Sequence, residues 1–273
     1  INFGANVNPL GLSPSVKSAL ADNLDVITRY PDRDYKALRE TIAAYCSVNT
    51  DQVAVGNGST ELISLLIGHR KAKHALVVGP TYSEYERELS LTGGSMSYYN
   101  LKEHEDFHLD PSDLLKSLPP ETDFLILCNP NNPTSSAVRQ ENIETILSEC
   151  KKRGIFVMID ETYVEFAPCI EEITAMPLTK IFDNLMVIRG VSKFYAAPGL
   201  RLGYGVTGNQ EFLSSLKRCQ NPWSLNSIAA FAGEKMLQDT AYIKETRALI
   251  LSQRKQLCKT LREVPFLKIY EPY

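Results

Sequence analysis

Ile155-Phe156-Val157-Met158-Ile159-Asp160 is a run of five apolar residues closed by a carboxylate. An unbroken apolar run of this length suits a strand covered on both faces. Residues 185–188 and 202–206 read the same way, and further strand signals stand at 53–56, 75–78, 95–99 and 124–127. Helix signals fall between them. Residues 61–68 form an almost wholly apolar helix opened by Ser59 and Thr60. In 141–152, Ile143, Ile146, Leu147 and Cys150 recur at i, i+3, i+4 and i+7, one helical face. Strands alternating with helices of about 10–15 residues imply crossovers and a mainly parallel sheet, hence an α/β chain. Beyond Gln210 the pattern is helical, and 241–261 reads as one long charged helix, a natural bridge to a second domain.

The bulk properties exclude several classes. The 273 residues suffice for one large domain and part of a second, at roughly 100–200 residues per domain. A hydrophobic fraction of 44% with 22% charged residues is that of an ordinary soluble protein. With a net charge of -3 and scattered lysines and arginines, the chain carries neither a nucleic-acid footprint nor a polybasic membrane surface. No apolar run approaches the roughly 18–20 residues needed to span a bilayer, and residues 1–11 lack the features of a signal peptide. The six cysteines form no C-x-x-C pair and no zinc-type cluster, which points to buried thiols in a reducing compartment, the cytoplasm. The histidines at 69, 74, 104 and 108 lie outside every motif and read as structural or surface residues. A first residue other than Met, and a strand-like run at 266–273 that stops short, suggest a fragment of a longer chain.

In open α/β sheets, sites form at the carboxyl ends of strands. Five polar clusters fall there. Gly56-Asn57-Gly58-Ser59-Thr60-Glu61 joins a strand to a helix. Its glycines permit a tight turn, and a phosphate fits the Gly58–Thr60 backbone at the helix N-terminus, with two hydroxyls as extra donors. The alternative is a plain capped helix. Asp160 ends its apolar strand, where a buried carboxylate needs a partner. A pyridinium N–H would serve, and Tyr163 stands three residues on; the alternative is a helix-capping Asp. Asn129-Pro130-Asn131-Asn132-Pro133-Thr134 is a turn rigidified by prolines that fixes the Asn132 side chain, or simply an Asn/Pro turn. Ser192-Lys193 offers an amine able to form an imine with an aldehyde, and Arg201, eight residues later, a fork suited to phosphate. A lone lysine is otherwise a solvated surface residue. Tyr82 offers a ring for stacking on a cofactor, or an ordinary core aromatic.

Taken in order, Gly-Ser-Thr, Tyr, Asn-Pro, Asp-x-x-Tyr, Ser-Lys and Arg, the chain resembles fold-type I pyridoxal-phosphate enzymes of the class I/II aminotransferase group, over residues 2–261. The resemblance implies a three-layer α/β/α fold with a mainly parallel sheet and the start of a smaller C-terminal α/β domain. The implied division is an N-terminal arm at 1–30, a large cofactor-binding domain at 31–240, and a bridging helix with the start of a truncated small domain at 241–273. It implies pyridoxal 5'-phosphate as cofactor, bonded to Lys193, with Asp160 on the ring nitrogen and Asn132 and Tyr163 on the phenolic oxygen. Tyr82 would stack on the ring, and Gly58, Ser59, Thr60, Ser192 and Arg201 would hold the phosphate. Tyr30, in Arg29-Tyr30-Pro31-Asp32, matches a tyrosine that reaches the phosphate from a partner subunit, implying a homodimer. The catalytic set is Lys193, Asp160 and Tyr163.

Within the group, Asn2-Phe3-Gly4-Ala5-Asn6-Val7-Asn8-Pro9-Leu10-Gly11 and the stretch 193–201 are most similar to the family of L-threonine-O-3-phosphate decarboxylases of cobalamin side-chain synthesis. The family of histidinol-phosphate aminotransferases, which transfer an amino group to a 2-oxo acid, is the second resemblance. A phosphorylated amino acid or amine is the implied substrate. Two departures stand out. Gly190 occupies a position where relatives carry Ser or Thr, so a phosphate hydroxyl is missing and Ser192 or a backbone N–H must compensate. The family's carboxylate-binding arginine belongs to a C-terminal domain beyond this chain. Two other readings compete. One is a regulatory domain of the same fold without turnover. The other is a dinucleotide-binding dehydrogenase, for which the third glycine of the motif is lacking.

Overall fold

The computed structural model describes residues 4–273. Residues 1–3, which begin the 2–11 opening and the expected arm, lie outside the described residues. In chain order the elements are α1 (Pro14–Asp22), α2 (Lys36–Cys46), β1 (Val53–Asn57), α3 (Gly58–Arg70), β2 (His74–Gly79), α4 (Glu84–Ser90), β3 (Ser95–Asn100), α5 (Pro111–Ser117), β4 (Phe124–Cys128), α6 (Gln140–Lys152), β5 (Phe156–Asp160), β6 (Leu185–Gly190), β7 (Leu202–Val206), α7 (Gln210–Cys219), α8 (Ser227–Gln238) and α9 (Thr240–Arg262). The strands form one seven-stranded sheet, in the order β1-β7-β6-β5-β4-β2-β3. Only β7 runs against its neighbours; the pairings among β3, β2, β4, β5 and β6 are parallel.

Alternate residues of each strand enter different cores, as a pleated strand demands. Phe124, Ile126, Phe156, Met158, Met186 and Ile188 pack under α3, α4 and α7. Leu125, Leu127, Val157, Ile159, Leu185 and Val187 pack against the layer that includes α2, α5, α6 and α8. The result is three layers, α/β/α, and both faces of the central strands are covered. The stripe read from α6 is the one that is buried: Ile143, Ile146, Leu147 and Cys150. The run at 266–273, read as strand-like, forms no strand, and several element ends move by one or two residues, of which two bear on the site. The first apolar helix begins at Gly58, so Gly58, Ser59 and Thr60 are its first turn and not a loop before it. Strand β5 starts one residue late and includes Asp160, because Asp160 pairs in register with Cys128 and Ile188.

One residue beyond that register, β5 and β6 are tied by charge. Arg189 donates to Glu161 Oε2 through Nε at 3.0 Å and Nη2 at 2.7 Å. Both side chains are almost fully buried. Glu161 also accepts from Thr174 Oγ1 at 2.9 Å and the Ala175 N–H at 2.5 Å, so its lone pairs are satisfied. Glu165 lies farther off, 3.8 Å from Arg189 Nη1, and burial pushes its carboxyl up against the pull of Arg189. Geometry therefore makes Glu161 the counter-charge of Arg189. Helix α9 buries only Tyr242 and Thr246, and its Arg247 donates to the carbonyls of Glu165 and Pro168 at 2.8 and 3.1 Å.

Breaking a buried pair on one side leaves an uncompensated charge, at a cost of about 3–5 kcal/mol. Arg189→Leu is expected to lower the unfolding free energy by about that amount, measured by urea denaturation. A lowering of a few tenths would show the pair to be dispensable.

Candidate active site

The ends of β1, β4, β5 and β6 meet the start of β7 on one edge of the sheet, and a cleft of about 290 Å³ opens there. Ten of the residues singled out from sequence line it. Gly58, Ser59 and Thr60 come from the first turn of α3; Asn132, Asp160 and Tyr163 from the β4 and β5 ends; Ser192, Lys193 and Arg201 from the loop between β6 and β7; and Tyr82 from the segment after β2. Tyr30 is not among them. It is 84% exposed and packs on Trp223 with ring centroids 5.1 Å apart.

The anion end is built on α3. The N-cap residue Asn57 makes no side-chain cap hydrogen bond to the first turn. The first-turn N–H groups and the positive end of the helix dipole are what an anion seeks. Glu61 Oε2 reaches back to the Asn57 N–H at 2.6 Å and braces the turn. The Arg201 guanidinium lies directly over Gly58. A Cβ on Gly58 would sit 2.4 Å from Nη2, and the φ of +81° is itself one that glycine tolerates. Gly203 allows the same close approach from β7, since its Cβ would fall 2.2 Å from the Ser59 nitrogen. Arg201 donates through Nη1 to the Pro198 carbonyl at 3.3 Å; among the described residues it forms no ion pair. Gly190 faces the same cup, and a Cβ there would lie 3.4 Å from Ser59 Oγ, an ordinary contact.

The acid end is Asp160, 4% exposed. Oδ1 accepts from the Thr162 N–H at 2.9 Å and Thr162 Oγ1 at 2.6 Å; Oδ2 accepts from the Tyr85 hydroxyl at 2.7 Å. No helix begins at Asp160, so the capping alternative fails here. A carboxylate has about four lone-pair directions. Three are filled, and Asp160 borders the cleft with one to spare. Tyr85 and Thr162 were missed in the sequence, as was Asn6. Burial raises the Tyr163 hydroxyl, while a hydrogen bond with Asn6 pulls it down. Burial, and then Asp160, push Cys128 beneath the cleft up to about 12. Lys193 donates from Nζ to the Ala5 carbonyl at 2.8 Å. The Asn-Pro turn is held by its other asparagines. Asn129 bonds Val138 and Ile173, and Asn131 bonds Pro80 and Thr134, which leaves Asn132 at the cleft wall.

The chain belongs to the aminotransferase class I and II family, whose model matches residues 1–272. It is a pyridoxal 5'-phosphate-dependent enzyme. It is 37% identical over 270 residues to a threonine-phosphate decarboxylase of Salmonella typhimurium, covering 99% of this chain and 73% of that one. Among solved structures, a histidinol-phosphate aminotransferase from Clostridium acetobutylicum superposes with a TM-score of 0.90 at 31% identity, covering 98% of this chain and 78% of the other. An L-threonine-O-3-phosphate decarboxylase from Porphyromonas gingivalis superposes with 0.87 at 25% identity, covering 99% and 79%. The cleft fits the cofactor. A helix end with hydroxyls and a guanidinium suits its phosphate, an acid with a spare lone pair suits its ring N–H, and a lysine amine suits its aldehyde.

Gly190→Ser is expected to add one neutral hydrogen bond at the cup and tighten cofactor binding about two- to tenfold. Arg201→Gln is expected to weaken it at least tenfold, as loss of a charged hydrogen bond does. Titration with pyridoxal phosphate reads both, and pyridoxal without phosphate should bind the variants and the parent alike.

Proposed function

We propose that the protein decarboxylates a phosphorylated amino acid of the threonine-phosphate type, with Lys193 as the attachment point of the cofactor. The likeness to the Salmonella typhimurium decarboxylase across 99% of the chain carries this reading. A histidinol-phosphate-type aminotransferase is the second reading, supported by the higher TM-score of 0.90.

When bound, pyridoxal phosphate supplies an aldehyde for the substrate amine and a ring that accepts the electron pair of a bond broken at the substrate α carbon. Arg201, Ser59, Thr60, Ser192 and the Gly58 turn would hold its phosphate. Asp160 would accept the ring N–H, Asn132 and Tyr163 would bond the ring oxygen, and Tyr82 would cover one face. Lys193 Nζ would serve as the attachment point and as the base that moves a proton at the α carbon. A second cleft of about 420 Å³ shares Asn6, Asn132 and Tyr163 with the first and is lined by Arg254, whose Nη1 donates to the Tyr273 carbonyl at 2.7 Å. It is room for the substrate, with a cation for an anionic group.

The reading includes a homodimer in which Tyr30 reaches the partner's phosphate cup, supported by the exposure of Leu24, Ile27, Tyr30 and Trp223. It retains the division at 1–30, 31–240 and 241–273. Six free thiols favour a reducing compartment, the cytoplasm; no helix is long and apolar enough to cross a membrane among the described residues.

With threonine phosphate, CO2 release without a 2-oxo acid is expected; a keto product that requires such an acceptor would favour the second reading. Borohydride should trap the cofactor on Lys193, and Lys193→Ala should abolish turnover. Mixing inactive Lys193→Ala and Tyr30→Ala subunits should restore activity if each site takes one residue from each subunit.

A further inference from the structure

The Tyr85 hydroxyl has no role in the assignments above, yet it is fully buried and spent on one oxygen of Asp160. Tyr85 sits at the start of α4, three residues after Tyr82, and the two rings meet edge to face with centroids 5.6 Å apart. One side chain thus touches both the acid and the aromatic wall of the cleft. Tyr82, Tyr85, Tyr163 and Cys128 all interact electrostatically with Asp160, and burial pushes each of them up. The cations Lys193 and Arg201 line the same cleft. Asp160 forms no ion pair among the described residues. Its direct hydrogen bonds come from three donors, two from Thr162 and one from Tyr85.

Donors on a carboxylate lower its affinity for a proton. A proton shared between Asp160 and a ring nitrogen stays on nitrogen only while the carboxylate is the weaker base. We propose that Tyr85 is a positioning residue that sets this balance: its hydrogen bond to Asp160 keeps the shared proton on the ring nitrogen of pyridoxal phosphate, the form that withdraws electrons. The proposal rests on the reading that Asp160 faces that nitrogen. Thr162 acts in the same direction from the other oxygen, and its backbone N–H cannot be removed by substitution. Tyr85 is the donor on Oδ2, the oxygen that Thr162 leaves alone, and substitution removes it.

The test is the nitrogen resonance of ring-15N-labelled pyridoxal phosphate in the holoenzyme. In the parent it is expected at the pyridinium position. In Tyr85→Phe, loss of one hydrogen bond to a charged group should move the proton's partition toward Asp160 by roughly tenfold to a hundredfold. The resonance should then shift toward neutral pyridine, with cofactor still bound and turnover reduced. Thr162→Val should shift it the same way. A Tyr85→Phe enzyme that keeps the parent resonance while losing activity would overturn the proposal and leave Tyr85 a packing residue. A parent that binds labelled cofactor with a neutral-pyridine signal would instead overturn the pairing of Asp160 with the ring. Should Tyr85→Phe fail to fold, the Thr162→Val resonance decides alone.

Discussion

The site stands on a buried guanidinium. Arg189 and Glu161 join the ends of β6 and β5 where no solvent screens them, and a charge so placed tolerates little displacement from its partner. The fixed point falls between the two groups that the proposed function places on the cofactor. Asp160 precedes Glu161 by one residue, and Lys193 follows Arg189 by four. In a pleated strand consecutive side chains leave opposite faces. Glu161 therefore turns into the layer below and holds the frame, while Asp160 turns toward Tyr85 and the cleft. Of two adjacent acids, one is locked in the frame and the other faces the cleft.

Much of this was legible in the sequence because strands buried on both faces announce themselves as apolar runs, and polar residues just past such runs have few reasons to be there. Asp160, Ser192, Lys193 and the Gly58–Thr60 segment were found that way, and the sheet gathered them on one edge. What escaped was set by tertiary contact. Tyr85 reads as one more helical aromatic, and only the tertiary fold brings its hydroxyl onto Asp160. Thr162 left a faint trace, since an Asp often accepts from the backbone two residues on. The turn at 129–133 could not reveal which asparagine builds it and which faces the cleft. Tyr30 rested on resemblance alone and lies outside the cleft of its own chain.

The two adjoining clefts have unequal walls. The smaller is walled by strand ends and a helix turn. The adjoining cleft is walled by the segment around Asn6, the Asn-Pro turn, α9 and the last residues of the chain, and the two share Asn6, Asn132 and Tyr163. In the reading proposed above, a family can hold its cofactor constant and diverge in reaction through the lining of this second space.

The contact between Gly58 and Arg201 also constrains how such a sequence can drift. The guanidinium fills the volume that any side chain at 58 would need, so the two positions do not mutate independently. A lineage may lose the arginine first and later fill the vacated space. Once it has, restoring the arginine meets a steric block, and the opposite order is closed from the start. Inheritance at this corner of the cleft works as a ratchet that locks only when position 58 is filled.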